Sequence, residues 1–435
     1  MKKLASLLAL LAVLVCGCAQ IDLPLPPAVQ TPEFKIAVLS DRTDKRQSPQ
    51  EREPDGLAFY YGAQMAVNEA VAEYRGKLKI TLLEKDIAGD LASAKPLCKE
   101  LIKEGADAIV CPATIAAKIA STAKANNIAL MVPDYDDRAV SLPKKDDEDQ
   151  TPDSLVRKND FIWSILPSGE EYGRLAAFYA RLQSWDSAIL LYDDTNLFWS
   201  AAADSFKETF ESYGRKILNS KANPCTNATL LKDIAESFCT GSKAECLFIG
   251  CDPDKAVNAV LPGVRNSFFK GSSFYYSGAT DYTAAFAADG FSSWYLNDQN
   301  CLAVFSGTEK KGACADFYAE YERLYGERAG FSAAIAHDGA AVLLKAAATA
   351  GSGSLSALQN AMGDLRYSGA TGLLRYTADG VGYPLRSLYG MTFQSNAEDY
   401  TKVDTRVKFA ALAVPEDELE AADAPSELTS EEVPA

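Results

Sequence analysis

The sequence predicts an α/β fold of two similar lobes, each with a mostly parallel sheet that helices cover on both faces. Short apolar runs of strand length alternate with helical patterns along most of the chain, and this alternation is typical of βαβ units. The alternation occurs in two consecutive series, which indicates two lobes. A chain of 435 residues is also long enough to bury two cores. In open α/β sheets ligands bind at the carboxyl ends of the strands, so we expect a cleft between the two sheets.

The first series begins at Phe34. Its predicted strands are 35–40, 78–83, 108–111 and 128–132, and its predicted helices are 56–73, 90–104 and 114–125. The second of these helices stops at Gly105, a residue type favoured just after the last helical turn.

The second series follows the charged stretch 134–160. Its predicted strands are 187–192, 216–220, 245–250 and 273–277, and its predicted helices are 169–184, 199–213 and 227–238. Asn227 is expected to cap the N-terminus of the last of these helices. Two alanine-rich helices, 313–325 and 331–350, come next.

The N-terminus has the pattern of an export signal. Lys2 and Lys3 precede an apolar run at 4–15 that is too short to span a bilayer. Gly17 directly before Cys18 resembles a bacterial lipobox, which implies cleavage after residue 17 and lipidation of Cys18. Residues 18–33 are then a proline-rich tether. This predicts a location on the periplasmic side of the cell envelope, with the lipid as the only membrane contact. Ala19 after the cysteine allows sorting to the outer membrane.

Composition excludes several classes of function. The formal net charge of −16 argues against nucleic acid as a partner, since phosphate backbones are bound by clustered Lys and Arg. A single histidine excludes a multi-histidine metal site and leaves little room for a His-based triad. We therefore expect no enzyme activity, no cofactor and no metal. Residues 410–435 are acidic and rich in Ala, Pro and Ser, which predicts disorder.

Eight cysteines follow Cys18, and an even number in an exported protein favours disulfides. The predicted pairs are Cys301 with Cys314, Cys239 with Cys246 and Cys98 with Cys111, which leaves Cys225 with Cys251. A zinc site built from the central cysteines is the alternative, although no CxxC spacing supports it.

Seven short strings, met in this order, resemble a known family. They are 35–39 (KIAVL) leading to 62–67 (GAQMAV), 106–112 (ADAIVCP), 191–194 (LYDD), 247–250 (LFIG), 334–340 (AIAHDGA), 367–372 (YSGATG) and 375–380 (RYTADG). Together they resemble the type I periplasmic-binding fold, in the leucine/branched-chain amino-acid-binding branch of ABC-transporter receptors. The resemblance extends over roughly residues 34–405.

The resemblance implies three crossovers between the lobes, near 161–166, 304–307 and 372–374. Lobe one would comprise 34–160 plus 308–372, and lobe two 166–304 plus 375–409. Receptors of this kind close around a ligand by a hinge motion.

The resemblance also indicates which residues face the cleft. In amino-acid-binding members the ligand carboxylate meets hydroxyls and backbone amides at two turns of lobe one. Thr114 keeps one such hydroxyl, but Ile115 replaces the expected serine. The other candidate positions are Asp55, Asp134, Tyr135 and Asp136 in lobe one, and Phe198, Cys251 and Asp281 in lobe two.

These residue types differ from those of an amino-acid-binding site, because aspartates would repel the carboxylate of the ligand. If the aspartates face the cleft, a cationic or polyhydroxylated ligand is expected. The alternative is that they form a solvated loop, and that Tyr135 and Phe198 are ordinary packing residues. His337 is expected to be a packed histidine with satisfied ring nitrogens rather than a catalytic base.

The sequence thus predicts a lipid-anchored solute-binding protein that delivers a small polar ligand to an ABC permease. The alternative is an envelope lipoprotein that uses the same fold for ligand sensing or for contacting a cell-wall synthase, as penicillin-binding-protein activators do. A missing N-terminal helical-repeat domain counts against the synthase alternative.

Overall fold

Two sheets with helices on both faces form the framework of the computed structural model. The structure describes residues 31–43, 56–134, 161–223, 227–251, 255–278, 300–303, 312–327, 329–377, 382–386, 388–395 and 403–409. The predicted signal, Cys18, the tether and the acidic tail from residue 410 lie outside the described residues.

The first sheet has five parallel strands in the order β2-β1-β3-β4-β5. They are β1 (Glu33–Ser40), β2 (Lys79–Asp86), β3 (Ala108–Val110), β4 (Ala129–Met131) and β5 (Ile162–Trp163). Side chains of β1 alternate between two apolar clusters: Ile36 and Val38 enter one, Ala37 and Leu39 the other. Both faces of the sheet are therefore buried, as expected for parallel strands.

Helices cover both faces of this sheet. They are α1 (Gly56–Glu73), α2 (Ala94–Lys103), α3 (Ala113–Ala125), α8 (Ala313–Tyr325), α9 (Phe331–Ala350) and α10 (Leu355–Met362). A short 3₁₀ turn, Leu91–Ser93, precedes α2. A small antiparallel sheet of β11 (Arg366–Gly369), β12 (Gly372–Arg375) and β13 (Leu385–Arg386) follows α10. We use the name lobe one for the five-stranded sheet with these six helices.

The second sheet has seven strands in the order β15-β14-β10-β9-β8-β6-β7. They are β6 (Ser187–Tyr192), β7 (Lys216–Ala222), β8 (Cys246–Gly250), β9 (Ser272–Gly278), β10 (Asn300–Ala303), β14 (Tyr389–Ser395) and β15 (Val403–Phe409). Strands β6 to β10 are parallel, and β14 is antiparallel to β10 and to β15. The sequence prediction missed these last two strands.

Four helices cover the second sheet. They are α4 (Gly169–Leu182), α5 (Leu197–Ser212), α6 (Ala228–Cys239) and α7 (Leu261–Asn266), the last preceded by a π-helical turn at Ala256–Val260. On β8, Phe248 packs with the α4–α5 cluster, whereas Leu247 and Ile249 pack with the α6–α7 cluster. We use the name lobe two for this sheet with its four helices.

The predicted elements are confirmed, mostly to within two or three residues. The helix that ends at Gly105 is confirmed, with the glycine at φ +87°. Asn227 caps α6 by accepting a hydrogen bond from the Leu230 N–H. The residue boundaries predicted for the two lobes and the three crossovers stay predictions.

Helices α1 and α9 pack at backbone distance. A Cβ added to Gly62 would lie 2.0 Å from the Ala333 carbonyl oxygen, so only glycine permits this approach. Helix α9 is also the one described helix that is long and apolar enough to cross a membrane, with a mean hydropathy of 1.2. Since 78% of that apolar window is buried inside the structure, α9 is a core helix here.

The disulfide predictions are wrong in this structure, in which no described residue forms a disulfide. Cys239 and Cys246 are unbridged thiols because they lie in the clusters on opposite faces of the second sheet. Cys314, the second residue of α8, is also a thiol, so it makes no bridge to Cys301.

Cys98 and Cys111 do share one apolar cluster, yet both remain thiols. Burial raises the pKa of Cys98 to about 11. Burial, followed by the Asp134 charge, raises the pKa of Cys111 well above its ordinary value. Burial therefore disfavours the reactive thiolate at both positions in the folded protein.

Candidate functional site

The carboxyl ends of β1, β3 and β4 lie at one edge of the first sheet, where the sequence predicts the ligand cleft. The chain continues from β4 through Val132 into Pro133 and Asp134, and from β3 through Cys111 and Pro112 into α3. The Asp134 Oδ1 accepts a hydrogen bond from the Ala113 N–H at 3.0 Å. Pro112, the residue before α3, supplies no side-chain cap. A carboxylate from the neighbouring strand end therefore caps this helix.

Thr114 follows in the first turn of α3 and is exposed. Asp134 and Thr114 thus lie at the same helix N-terminus, and their role in ligand binding stays a prediction. Three other lobe-one candidates, Asp55, Tyr135 and Asp136, lie outside the described residues.

Two further aspartates at this edge hold loops in place. The Asp86 Oδ1 accepts hydrogen bonds from the Arg42 N–H at 3.0 Å and the Ala88 N–H at 2.8 Å. The Asp41 Oδ1 accepts hydrogen bonds from the Thr43 and Gly89 N–H groups. Carboxylates after strands commonly satisfy loop N–H groups in this way, so these aspartates act here as turn residues.

Arg42 also lies at this edge, and it is not among the residues predicted from the sequence. Its guanidinium carbon lies 3.7 Å from the Tyr60 ring centroid, and its Nη2 lies 3.4 Å from Glu84. The Tyr60 hydroxyl donates to Glu84, and burial, followed by this hydrogen bond, raises the pKa of Tyr60 to about 12. No local pattern marks this arginine, because its partners come from a helix and a strand elsewhere in the chain.

In lobe two, the chain passes from the carboxyl end of β6 into α5, where the sequence predicts further cleft residues. Asp193 is buried and accepts hydrogen bonds from the Thr195 N–H at 3.0 Å and hydroxyl at 2.6 Å. Asn196 caps α5 by accepting a hydrogen bond from the Phe198 N–H at 3.0 Å.

Phe198 is only 6% exposed. Its ring stacks on Tyr172 with centroids 6.1 Å apart and meets Trp199 edge-on at 4.8 Å. Protein atoms thus cover the ring, and stacking on a ligand would require a movement of α5. Cys251, after β8, is 1% exposed within the α6–α7 cluster. The remaining lobe-two candidate, Asp281, lies outside the described residues.

His337 is confirmed as a packed histidine with both ring nitrogens partnered. Its Nδ1 lies 3.0 Å from Asp338 Oδ1, and its Nε2 lies 3.0 Å from Glu69 Oε2 on α1. Burial lowers the pKa of His337, but the hydrogen bonds to Asp338 and Glu69 and their charges outweigh burial and raise the pKa to about 9. The imidazolium therefore ties α9 to α1.

Asp338 is fully buried and serves a second element as well. Its carboxylate accepts hydrogen bonds from the Ala370 N–H at 2.9 Å, the Thr371 N–H at 2.7 Å and the Thr371 hydroxyl at 2.6 Å. Within the part of the chain that the structure describes, no group of three His, Cys, Asp or Glu residues is arranged to hold a metal ion.

Solved structures share this architecture at low sequence identity. The branched-chain amino acid transporter substrate-binding protein LivJ from Streptococcus pneumoniae, solved with isoleucine, is 18% identical with a TM-score of 0.59, covering 86% of this chain and 99% of that chain. The leucine-binding protein LivK from Thermotoga maritima is 16% identical with a TM-score of 0.59, covering 86% and 98%. A solute-binding protein from R. palustris, solved with 4-hydroxybenzoate, is 15% identical with a TM-score of 0.60, covering 86% and 96%.

Comparison with the curated proteins gives no match. The sequence of residues 33–397, however, matches the periplasmic binding protein family. This match covers most of the chain, and the resemblance and the fold class predicted from the sequence are both confirmed. The chain therefore belongs to the periplasmic binding protein family, whose members are solute-binding proteins of ABC transporters with the type I fold and not enzymes.

Proposed function

We propose that this protein is a lipid-anchored, extracytoplasmic solute-binding protein of an ABC importer. Its ligand is a small polar molecule other than a standard branched-chain amino acid. The lobes close on the ligand, and the closed form delivers it to the permease. The observation that carries the proposal is the Asp134 carboxylate at the N-terminus of α3, 3.0 Å from the Ala113 N–H.

A helix N-terminus is a ready anion site, because its first N–H groups lack partners and the helix dipole favours negative charge. Here a carboxylate of the protein already holds part of that site. A ligand carboxylate about 4 Å away would be repelled by about 4 kcal/mol at an effective dielectric constant of about 20. The isoleucine and 4-hydroxybenzoate bound by the neighbouring structures both carry a carboxylate. For this chain the same turn favours a cationic or neutral, hydroxyl-rich ligand.

Ligand panels test the proposal through thermal unfolding. A ligand at about 100 times its Kd stabilises the folded state by about 2.7 kcal/mol, which raises Tm by several degrees. The panel contains branched-chain amino acids, benzoates, polyamines, sugars and nucleosides, applied to protein that lacks residues 1–18. We expect a rise in Tm with a cationic or neutral compound and none with leucine or isoleucine.

Asp134→Asn is the matched variant. The asparagine oxygen still accepts from the Ala113 N–H, but the negative charge is gone. We expect the variant to lose affinity for a cationic ligand and to tolerate carboxylates better. If leucine raises the Tm of the native protein as much as the best cationic or neutral compound does, the proposed ligand class is refuted. If no compound raises the Tm, transport of these classes of solute is contradicted.

The alternative function is an envelope lipoprotein that uses this fold for ligand sensing or protein contacts, with a cell-wall synthase as partner. The burial of Phe198 and Cys251 favours it, because two candidate ligand positions in lobe two are covered by protein. A panel without thermal shifts, together with cross-linking to a synthase in cells, would support this alternative.

The lipid anchor rests on Gly17 and Cys18 in the sequence. Metabolic labelling with palmitate should mark the native chain and leave Cys18→Ser unlabelled. Fractionation of the labelled cells then distinguishes the inner from the outer membrane. Equal labelling of both proteins would contradict lipidation at this cysteine.

A further inference from the structure

The segment that follows β5 is held by three hydrogen bonds from the C-terminal part of the chain. The Ser164 N–H donates to the Gly382 carbonyl at 2.8 Å. The Tyr376 hydroxyl donates to the Ser164 carbonyl at 2.5 Å. Arg386 Nη1 donates to the Ile165 carbonyl at 2.6 Å. Residues 164–165 belong to the first predicted crossover between the lobes.

Arg386 also reaches the third predicted crossover. Its Nη2 donates to the Thr371 carbonyl oxygen, directly before β12. Thr371 is itself fixed from the other side by the buried carboxylate of Asp338. One guanidinium therefore connects Ile165, 221 positions before Arg386 in the sequence, with Thr371, 15 positions before it.

Burial makes these contacts strong. Arg386 is 4% exposed and Tyr376 is 2% exposed, so water does not compete for the carbonyl oxygens. A planar guanidinium offers a fixed fork of donors that can engage two acceptors at once, whereas a lysine ammonium is a single point. The chain also approaches closely here, because a Cβ on Gly382, which has φ +78°, would lie 2.3 Å from the Ile162 carbonyl oxygen.

We propose that Arg386 and Tyr376 fasten the first and third crossovers into one rigid hinge block. The lobes then rotate about this block as a unit, and the two crossovers do not bend independently. Arg386 is a positioning residue, since it sets the range of lobe orientations without touching a solute. The proposal rests on the hinge closure in the proposed function, and it concerns the free protein, so it is tested without a ligand.

The test measures the distance between spin labels on the two lobes of the full chain. Lys118 on α3 and Glu208 on α5 are exposed and become the labelled cysteines. Each singly substituted protein, labelled in parallel, accounts for reaction at native cysteines. Pulsed electron–electron double resonance gives the distribution of label distances in the doubly labelled protein and in its R386K and Y376F variants.

We expect the fraction of molecules outside the main distance peak to rise about tenfold in R386K, because one charged hydrogen bond between the crossovers is lost. Y376F should show a smaller rise. The matched control is R174K, since Arg174 forms a two-point pair with Glu171 inside α4 and lies in lobe two alone. It should leave the distribution unchanged.

An unchanged distribution in folded R386K overturns the proposal. Equal broadening in R174K also overturns it, because the effect would then come from any loss of an arginine fork. Should R386K fail to fold by circular dichroism, Y376F decides alone, and an unchanged distribution there refutes the hinge block. A ligand panel without hits leaves these distances unaffected, so failure of the proposed function is distinguishable.

Discussion

Replacing His337 by glutamine should remove a pH-dependent part of the stability. In the native protein the pKa of His337 is raised to about 9 from its ordinary 6.5, because hydrogen bonds to Asp338 and Glu69 outweigh burial. The folded state therefore binds this proton more tightly than the unfolded state does. The resulting stabilisation is fully present below pH 6.5 and is lost as the pH rises through about 9.

The magnitude follows from the two pKa values. The interval from 6.5 to about 9 corresponds to about 3 kcal/mol of unfolding free energy, at about 1.4 kcal/mol for each pH unit. The assay is urea unfolding of the native protein and H337Q at several pH values between about 6 and about 10. The native protein should lose about 3 kcal/mol more than H337Q over this range.

The difference between the two proteins is the quantity that matters. Burial raises the pKa of Cys98 and of Tyr74, so other groups also change stability at alkaline pH. These groups are common to both proteins and cancel. Glu69→Gln removes one partner of the imidazolium. Between about pH 6 and about pH 10 this variant should still lose more unfolding free energy than H337Q, but less than the native protein does. If the unfolding free energies of the native protein and H337Q differ by the same amount from about pH 6 to about pH 10, a charged His337 is refuted.

Three further predictions concern packing, capping and thiols. Gly62→Ala should lower the unfolding free energy measured by urea titration by about 2 kcal/mol, because overpacking costs about 3 kcal/mol and the better helix propensity of alanine returns about 1 kcal/mol. The control is Gly330→Ser, which should leave the unfolding free energy unchanged because a Cβ at this position meets nothing within 4 Å. Asn227→Ala removes the α6 cap and should cost about 1 kcal/mol, and an unchanged midpoint would contradict the cap. The thiols of Cys98 and Cys111 should react with a thiol reagent only at the rate of unfolding, and labelling of both within seconds in native buffer would contradict their burial.

Helix and strand positions were predictable because the spacing of apolar residues and the residue types at helix ends are local properties of the sequence. Helix α1 and helix α9 begin and end where the sequence pattern placed them, and Gly105 and Asn227 act as the expected end residues. The antiparallel strands β14 and β15 were missed, since they add to the sheet of a lobe whose other strands end far earlier in the chain.

The predicted disulfide pairs are absent from the described residues because their prediction also depended on contacts that are not local in sequence. Spacing along the chain gives no information on which face of a sheet a cysteine occupies, so Cys239 and Cys246 were paired across opposite faces. Asp134 was identified correctly as a residue at the strand end, but its partner, the Ala113 N–H, depends on how two loops meet. The contacts of Arg386 join segments that no local pattern connects.

The packing of α1 on α9 has a consequence for how the chain folds as it is made. Glu69 and His337 are in contact although 268 residues separate them. At about 5–20 residues per second, synthesis of the intervening chain takes roughly tens of seconds. The part of lobe two down to β10 is made before α9, and during this time α1 can pack on β1 but not on α9. Neither lobe can therefore be completed from one continuous stretch of nascent chain, since lobe one waits for α9 and lobe two waits for β14 and β15.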